Sequence, residues 1–137
     1  MSTREVLDQE LTTDEDVRVL FVEDDPEVAQ MYRMKLELDG YAVDVAMDGV
    51  QAVEMATGNP PDIIFLDIRL PKMDGFRVLE ILRDDDRTRD IPVVILSNYS
   101  ERDLVNRGLR MGALDYLIKS QTTPARVADG VANWLKN

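Results

Sequence analysis

From residue 17 onward, short runs of large apolar residues alternate with segments of helical periodicity, and this alternation restricts the fold more than any other feature of the chain. The runs fall at 17–22, 41–46, 63–66, 91–96 and 113–118. Between them, Pro26 opens a helix whose Val28, Met31, Tyr32 and Leu36 share a face and which ends before Gly40. Asp48 with Gln51 resembles a capping pair for a short helix to about Thr57, ahead of the break at Gly58-Asn59-Pro60-Pro61. Asp74 can cap a third helix that buries Phe76, Leu79 and Leu82, and residues 84–90 read as an exposed acidic loop. Ser100 with Asp103 predicts a capping box for a fourth helix carrying Leu104, Val105, Leu109 and Met111, stopped by Gly112. Thr123-Pro124 starts a fifth, with Val127, Val131, Trp134 and Leu135 in one stripe. Parallel neighbours need crossover helices, and those crossovers are right-handed. The expected fold is therefore α/β: a doubly wound, five-stranded parallel sheet with five helices on both faces.

At 137 residues and 45% apolar content the chain fits one domain with a real core. Residues 1–16 carry one arginine against six acidic residues, a local net charge of −5, and read as a mobile acidic tail before a domain at 17–137. Within that tail Val6, Leu7 and Leu11 have helical spacing, which allows a docking segment. The net charge of −11 argues against nucleic acid or an anionic membrane surface as a direct partner. With no cysteine, disulfides, thiolate metal sites and thiol nucleophiles are excluded. With no histidine, so are a Ser-His-Asp triad, His-ligated zinc and any role as a phosphohistidine donor. Neither a signal peptide nor a long apolar span is present, and a soluble cytoplasmic protein is expected.

All strands of a parallel sheet expose their carboxyl ends on one edge, where ligands bind. Those ends are Glu23, Asp24 and Asp25 after the first strand, Asp67 after the third, Ser97 after the fourth and Lys119 after the fifth. Taken singly each has a plain reading: Asp67 as a solvated strand terminus, Asp24 or Asp25 as a cap before Pro26, Ser97 as a turn residue, Lys119 as a solvated end. Together they place hard oxygen donors suited to Mg²⁺, a hydroxyl and a cation at one rim. That set suits an incoming phosphoryl group, with a carboxylate as acceptor. Asp67 and Asp25 are the expected direct ligands.

Phe21-Val22-Glu23-Asp24-Asp25-Pro26, then Leu66-Asp67 with Leu70-Pro71-Lys72-Met73-Asp74-Gly75, Leu96-Ser97 and Gly112-Ala113-Leu114-Asp115-Tyr116-Leu117-Ile118-Lys119 carry a specific likeness. In these motifs, and over nearly all of residues 17–137, the chain resembles the receiver domain of two-component response regulators, which has a flavodoxin-like fold. The resemblance implies that Asp67 accepts a phosphoryl group from a sensor histidine kinase or a histidine phosphotransfer protein, in a reaction needing Mg²⁺, with Mn²⁺ able to replace it. It implies that Asp24, Asp25 and Asp67 build the metal site with the backbone carbonyl of Arg69, and that Ser97 and Lys119 hold phosphoryl oxygens. Ser97 and Tyr116 would form the switch, and the surface of the fourth helix, fifth strand and fifth helix would then favour a downstream protein or a second copy of the chain. Such a protein is no enzyme beyond its own Mg-assisted phosphorylation and dephosphorylation. Because the fifth helix reaches the end of the sequence, a stand-alone receiver is expected. The rival readings are a phosphorelay intermediate that passes the group to a histidine elsewhere, and a receiver-like binding module that works without phosphate. A small α/β enzyme fits less well, since Glu23-Asp24-Asp25-Pro26 supplies no glycine-rich cradle and Arg69 cannot serve as an acid/base.

Two departures from the family pattern carry expectations. Ser120 stands where the family usually has proline after the lysine. A non-proline cis bond costs about 2.5–4 kcal/mol, so Lys119–Ser120 is expected to be trans with an altered turn after it. Asn98 stands where a small residue commonly follows the serine; with Tyr99 and Arg69 it is expected to shield Asp67 and slow the loss of phosphate.

Overall fold

A computed structural model describes residues 17–136; the proposed acidic tail, residues 1–16, lies outside the described residues. Strands β1 (Arg18–Val22), β2 (Ala42–Ala46), β3 (Ile63–Leu66), β4 (Val93–Ser97) and β5 (Asp115–Ile118) form one sheet in the order β2-β1-β3-β4-β5, and every neighbouring pair is parallel. The helices are α1 (Pro26–Leu38), α2 (Gly49–Gly58), α3 (Gly75–Asp84), α4 (Arg102–Arg110) and α5 (Pro124–Lys136), and a 3₁₀ turn at Lys119–Gln121 follows β5. After β1 the chain steps outward to β2 and then returns to lay β3 on the other side of β1. That reversal opens a crevice at the strand ends between β1 and β3, where this architecture binds ligands.

The strands alternate their side chains between two cores. Leu20, Val22, Ile64, Leu66 and Ile95 face α2 and α3, while Val19, Phe21, Ile63, Phe65 and Val94 face α1 and α5. All four residues of β3 are fully buried, at about 1.5–3 kcal/mol each, so the strand that delivers Asp67 has little freedom to shift. Trp134 of α5 is half-buried against Phe65, with ring centroids 5.6 Å apart, and its indole N–H donates to Asp115 at 3.1 Å.

Caps explain most of the helix boundaries. Asp48 Oδ1 accepts the Gln51 N–H at 2.7 Å, and the Gln51 side chain reaches back to the N–H of Met47, one residue before the cap. Asp74 accepts the Arg77 N–H at 3.1 Å, and Gly40 and Gly112 adopt φ of 98° and 107° where α1 and the α4 turn end. Three expectations need correction. Ser100 does not cap α4: Glu101 holds that position, without a side-chain cap bond. Leu109 and Met31 do not join the core, with exposures of 43% and 53%. The cause at α4 is a close approach to the sheet at Gly108, where an added Cβ would sit 2.6 Å from Ile95 Cδ1, so the neighbouring Leu109 is turned outward. Thr88, in the loop expected to be exposed, is fully buried and donates to the Leu82 carbonyl at 2.6 Å.

Arg83 ties this end of the molecule together. Its guanidinium donates to the carbonyls of Arg89 and Ile91 at 3.0 and 2.9 Å and to that of Gly112 at 2.8 Å, joining the end of α3 to the segments that enter β4 and β5. No peptide bond among the described residues is cis, so Lys119–Ser120 is trans as expected. No described helix is long and apolar enough to cross a membrane.

Candidate functional site

The carboxyl ends of β1, β3, β4 and β5 converge on a cavity of about 540 Å³ whose lining includes Asp24, Asp25, Asp67, Arg69, Ser97 and Lys119. Asp67 follows β3 directly. Its N–H donates to the Val22 carbonyl at 3.2 Å, extending the β1–β3 ladder by one bond, and the residue is 7% exposed at the floor of the cavity. Lys119, first residue of the 3₁₀ turn, spans the crevice. Its ammonium donates to Asp67 Oδ2 at 2.7 Å and also to Glu23 Oε1. The other oxygen, Asp67 Oδ1, accepts the Arg69 N–H at 3.3 Å.

Glu23, absent from the ligand set expected from the sequence, reaches the cavity, and Asp25 is engaged in capping a helix. Glu23 is 2% exposed and points inward, where Glu23, Asp24 and Asp67 bring carboxylate oxygens within 4.8 Å of one another. Asp25 lines the same cavity, but its Oδ1 accepts the N–H groups of Glu27 and Val28 at 2.9 and 3.3 Å. It is the N-cap of α1, and its carboxylate is outside the clustered set. The signal was present in the sequence: Pro26 favours the first helical position, which makes the residue before it the cap. The acids left for the cavity are then the two upstream, Glu23 buried and Asp24 exposed.

The electrostatics follow from this packing. Burial pushes the Glu23 carboxyl above its ordinary value, against the lowering pull of the Lys119 hydrogen bond. Burial lowers the Lys119 ammonium, but hydrogen bonds from it to Asp67 and Glu23 outweigh that and hold it above its ordinary value. One cation thus sits between two buried carboxylates, while Asp24 remains exposed at the mouth with no salt-bridge partner among the described residues. Three hard oxygen donors on two strand ends, in excess of the one lysine, are a donor set that fits a divalent cation such as Mg²⁺.

On the β4 side, Ser97 is 1% exposed; its Oγ accepts the Tyr99 N–H at 3.1 Å, and its hydroxyl is also a hydrogen-bond partner of the Tyr116 side chain. Tyr116 on β5 is buried and donates its hydroxyl to the Tyr99 carbonyl at 2.7 Å. Both residues expected to switch are therefore bonded to one loop residue, Tyr99. Asn98 and Tyr99 line the cavity beside Arg69. The loop after Asp67 is held by the Gly75 N–H on the Ile68 carbonyl, 2.7 Å, with Lys72 left-handed at φ 67° between Pro71 and Met73.

Comparison with known proteins agrees with this geometry. The family model for the response regulator receiver domain matches residues 19–129. The transcriptional regulator RpaA of Synechocystis is 42% identical over 102 residues, which are 74% of this chain and 42% of that protein. The transcriptional regulatory protein PrrA of Mycobacterium tuberculosis is 45% identical over 102 residues, again 74% of this chain and 43% of that protein. Among solved structures, the receiver domain of the Francisella response regulator 1452 superposes with a TM-score of 0.81 at 32% identity, covering 88% of this chain and 98% of that one. The Mn²⁺-bound form of response regulator Rcp1 does so with a TM-score of 0.77 at 25% identity, covering 88% and 96%. The chain spans less than half the length of these two curated relatives.

Proposed function

We propose, because the chain belongs to the response regulator receiver family, that Asp67 is the phosphoacceptor through which a partner histidine kinase changes the protein's binding surface. The observation that carries this reading is the bridge from Lys119 to both Asp67 and Glu23. It holds the acceptor carboxylate on the cavity floor and keeps a cation beside the position an added phosphoryl group would occupy. An Asp67 carboxylate oxygen forms the new O–P bond as the N–P bond of a phosphohistidine breaks, and the electron pair returns to the imidazole nitrogen of the partner. Lys119 then exchanges its carboxylate contact for a phosphoryl oxygen, and the Ser97 hydroxyl donates to another. Asp24 and Asp67, with the Arg69 backbone carbonyl and Glu23 behind them, would hold Mg²⁺ or Mn²⁺. Such an ion supplies positive charge against the oxygens of the transferring group.

The phosphoryl group adds about −1.5 to −2 charge and strong acceptors beside Ser97. Ser97 is bonded to Tyr99, and Tyr99 to Tyr116. A shift of Ser97 toward the phosphate is therefore felt at β5 and α4, the face offered to a downstream protein or a second copy. The group biases this change only as far as it binds one arrangement better than the other. A cytoplasmic site of action goes with this exchange with a kinase.

The test is intact mass after incubation with acetyl phosphate, with and without Mg²⁺, for wild type and Asp67→Ala. One phosphoryl addition that requires both Mg²⁺ and Asp67 is expected. Addition to Asp67→Ala, or no addition to wild type even from a phosphohistidine donor protein, would overturn the reading. Shielding of Asp67 by Asn98 and Tyr99 has its own readout. The Asn98→Ala, Tyr99→Ala double variant is expected to lose its phosphoryl group several-fold faster than wild type, followed by loss of the mass adduct with time. An equal or slower loss removes the shielding.

A further inference from the structure

Lys72 is the one residue other than glycine with a positive φ among the described residues, at 67°. A side chain makes that backbone costly, so the surroundings must impose it. The Met73 N–H donates to the Pro71 carbonyl at 2.7 Å, a bond that spans Lys72 alone and makes the segment a three-residue turn of the rarer, strained hand. The start of α2 presses on this turn from outside the cavity. The Gly49 N–H donates to the same Pro71 carbonyl at 3.3 Å, and Asp48 uses Oδ1 to cap α2 and Oδ2 to meet the Lys72 ammonium at 3.5 Å. Gly49 is buried, and a Cβ there would run into the carbonyl oxygen of Met73 and approach the Met73 Cβ to 2.7 Å. The Lys72 side chain is 67% exposed, so its ion pair contributes little, and the backbone contact at Gly49 is the stronger restraint.

We infer that Gly49, with Asp48 beside it, is a positioning residue for the Asp67 site: the start of α2 clamps the Lys72 turn and thereby holds the Arg69 backbone where a divalent ion can use its carbonyl. Neither Asp48 nor Gly49 lines the cavity, whereas Arg69, Leu70 and Pro71 do. The loop is closed at its base, where the Gly75 N–H meets the Ile68 carbonyl at 2.7 Å. Release of its tip is therefore taken up between residues 69 and 74, and the stretch that moves includes the Arg69 carbonyl. Groups behind a metal ligand set its position, and losing one costs roughly 10–100-fold in metal affinity. The coupling is reciprocal: a clamp that favours the ion is tightened by it. The inference rests on the reading of the cavity as a Mg²⁺-dependent phosphoacceptor site, to which it adds a helix start that touches none of the reacting groups.

The probe is Mg²⁺ alone, titrated into the full ¹⁵N-labelled chain and followed at the Asp67 and Arg69 amides. Gly49→Ala is expected to bind Mg²⁺ about tenfold more weakly than wild type, under conditions where urea unfolding shows the variant to be folded. A merely structural glycine would lower the urea midpoint and leave the affinity of the folded chain unchanged, and that result would overturn the inference. Wild type supplies a second measurement, which decides the matter if the variant does not fold. Saturating Mg²⁺ is expected to slow hydrogen exchange at the Gly49 amide several-fold. The Gly40 amide, bonded to the Glu37 carbonyl at the opposite edge of the sheet, should keep its rate. Equal rates at Gly49 with and without Mg²⁺, in a chain whose Asp67 and Arg69 amides respond to the ion, would remove the clamp and leave the phosphoacceptor reading standing. No response of those two amides to millimolar Mg²⁺ would overturn both.

Discussion

Lys119→Ala is expected to lower the stability of the folded chain by about 3–5 kcal/mol, measured by urea unfolding, because it leaves two buried carboxylates facing each other without their cation. The Lys119 side chain is 17% exposed, Glu23 2% and Asp67 9%, so solvent screens these pairs poorly. Without the ammonium, Glu23 must either take up a proton or stay charged at a desolvated position, and both cost free energy. The same variant is expected to take up phosphoryl from acetyl phosphate roughly 10²–10³-fold more slowly, the usual cost of removing one preorganised donor at a developing charge. The two effects separate in a double variant. Adding Glu23→Gln removes the buried charge and should restore most of the stability while leaving uptake slow. Wild-type stability in Lys119→Ala, or no recovery on adding Glu23→Gln, would show that the bridge does not hold this site together.

The parts of the molecule that the sequence made legible are those written in local periodicity and in strand ends. The apolar runs alternate with helical segments, so the parallel sheet, its two helix layers and the meeting of Asp67, Ser97 and Lys119 at one edge followed from counting alone. Register and boundaries were less legible. Strand β4 begins at Val93 because Pro92 has no N–H to donate and contributes only its carbonyl, to Ile64, and the strand runs on through Ser97, one residue further than the apolar run.

What failed to show in the sequence depends on contacts between distant segments. Leu104, Val105, Leu109 and Met111 have helical spacing and promise a full apolar face, yet α4 rests on the sheet through Gly108, whose missing side chain sets the distance. A run of three carboxylates at β1 is ambiguous until one of them is recognised as the helix cap. Once Asp25 is assigned to the N–H groups of Glu27 and Val28, Glu23 and Asp24 are left for the cavity. The Arg83 staple and the Tyr116–Tyr99 bond have sequence separations of up to 29 and of 17 residues and no local signature.

Gly75→Ala is expected to be damaging, because the backbone of Asp67, the proposed phosphoacceptor, occupies the place where a side chain would go. A Cβ at Gly75 would run into the carbonyl oxygen of Asp67 and approach Ile68 Cα to 2.7 Å. These are backbone atoms. They cannot swing aside as the end of a flexible side chain can, and β3 is buried on both faces just upstream, so the strain is met by the loop that carries Arg69 and by Asp67 itself. Overpacking of this kind costs about 1–3 kcal/mol, and a displaced reacting group loses roughly 10²-fold in rate for each ångström. Gly75→Ala should therefore unfold at lower urea and take up phosphoryl slowly, even where enough folded protein remains. Gly58 provides the control, since a Cβ there meets nothing within 4 Å and the residue ends α2 on the far side of the sheet edge. Gly58→Ala should be neutral, or stabilising by up to about 1 kcal/mol, with uptake unchanged. If Gly75→Ala matches Gly58→Ala in both stability and uptake rate, the close approach of the loop to Asp67 is not what sets the acceptor's position.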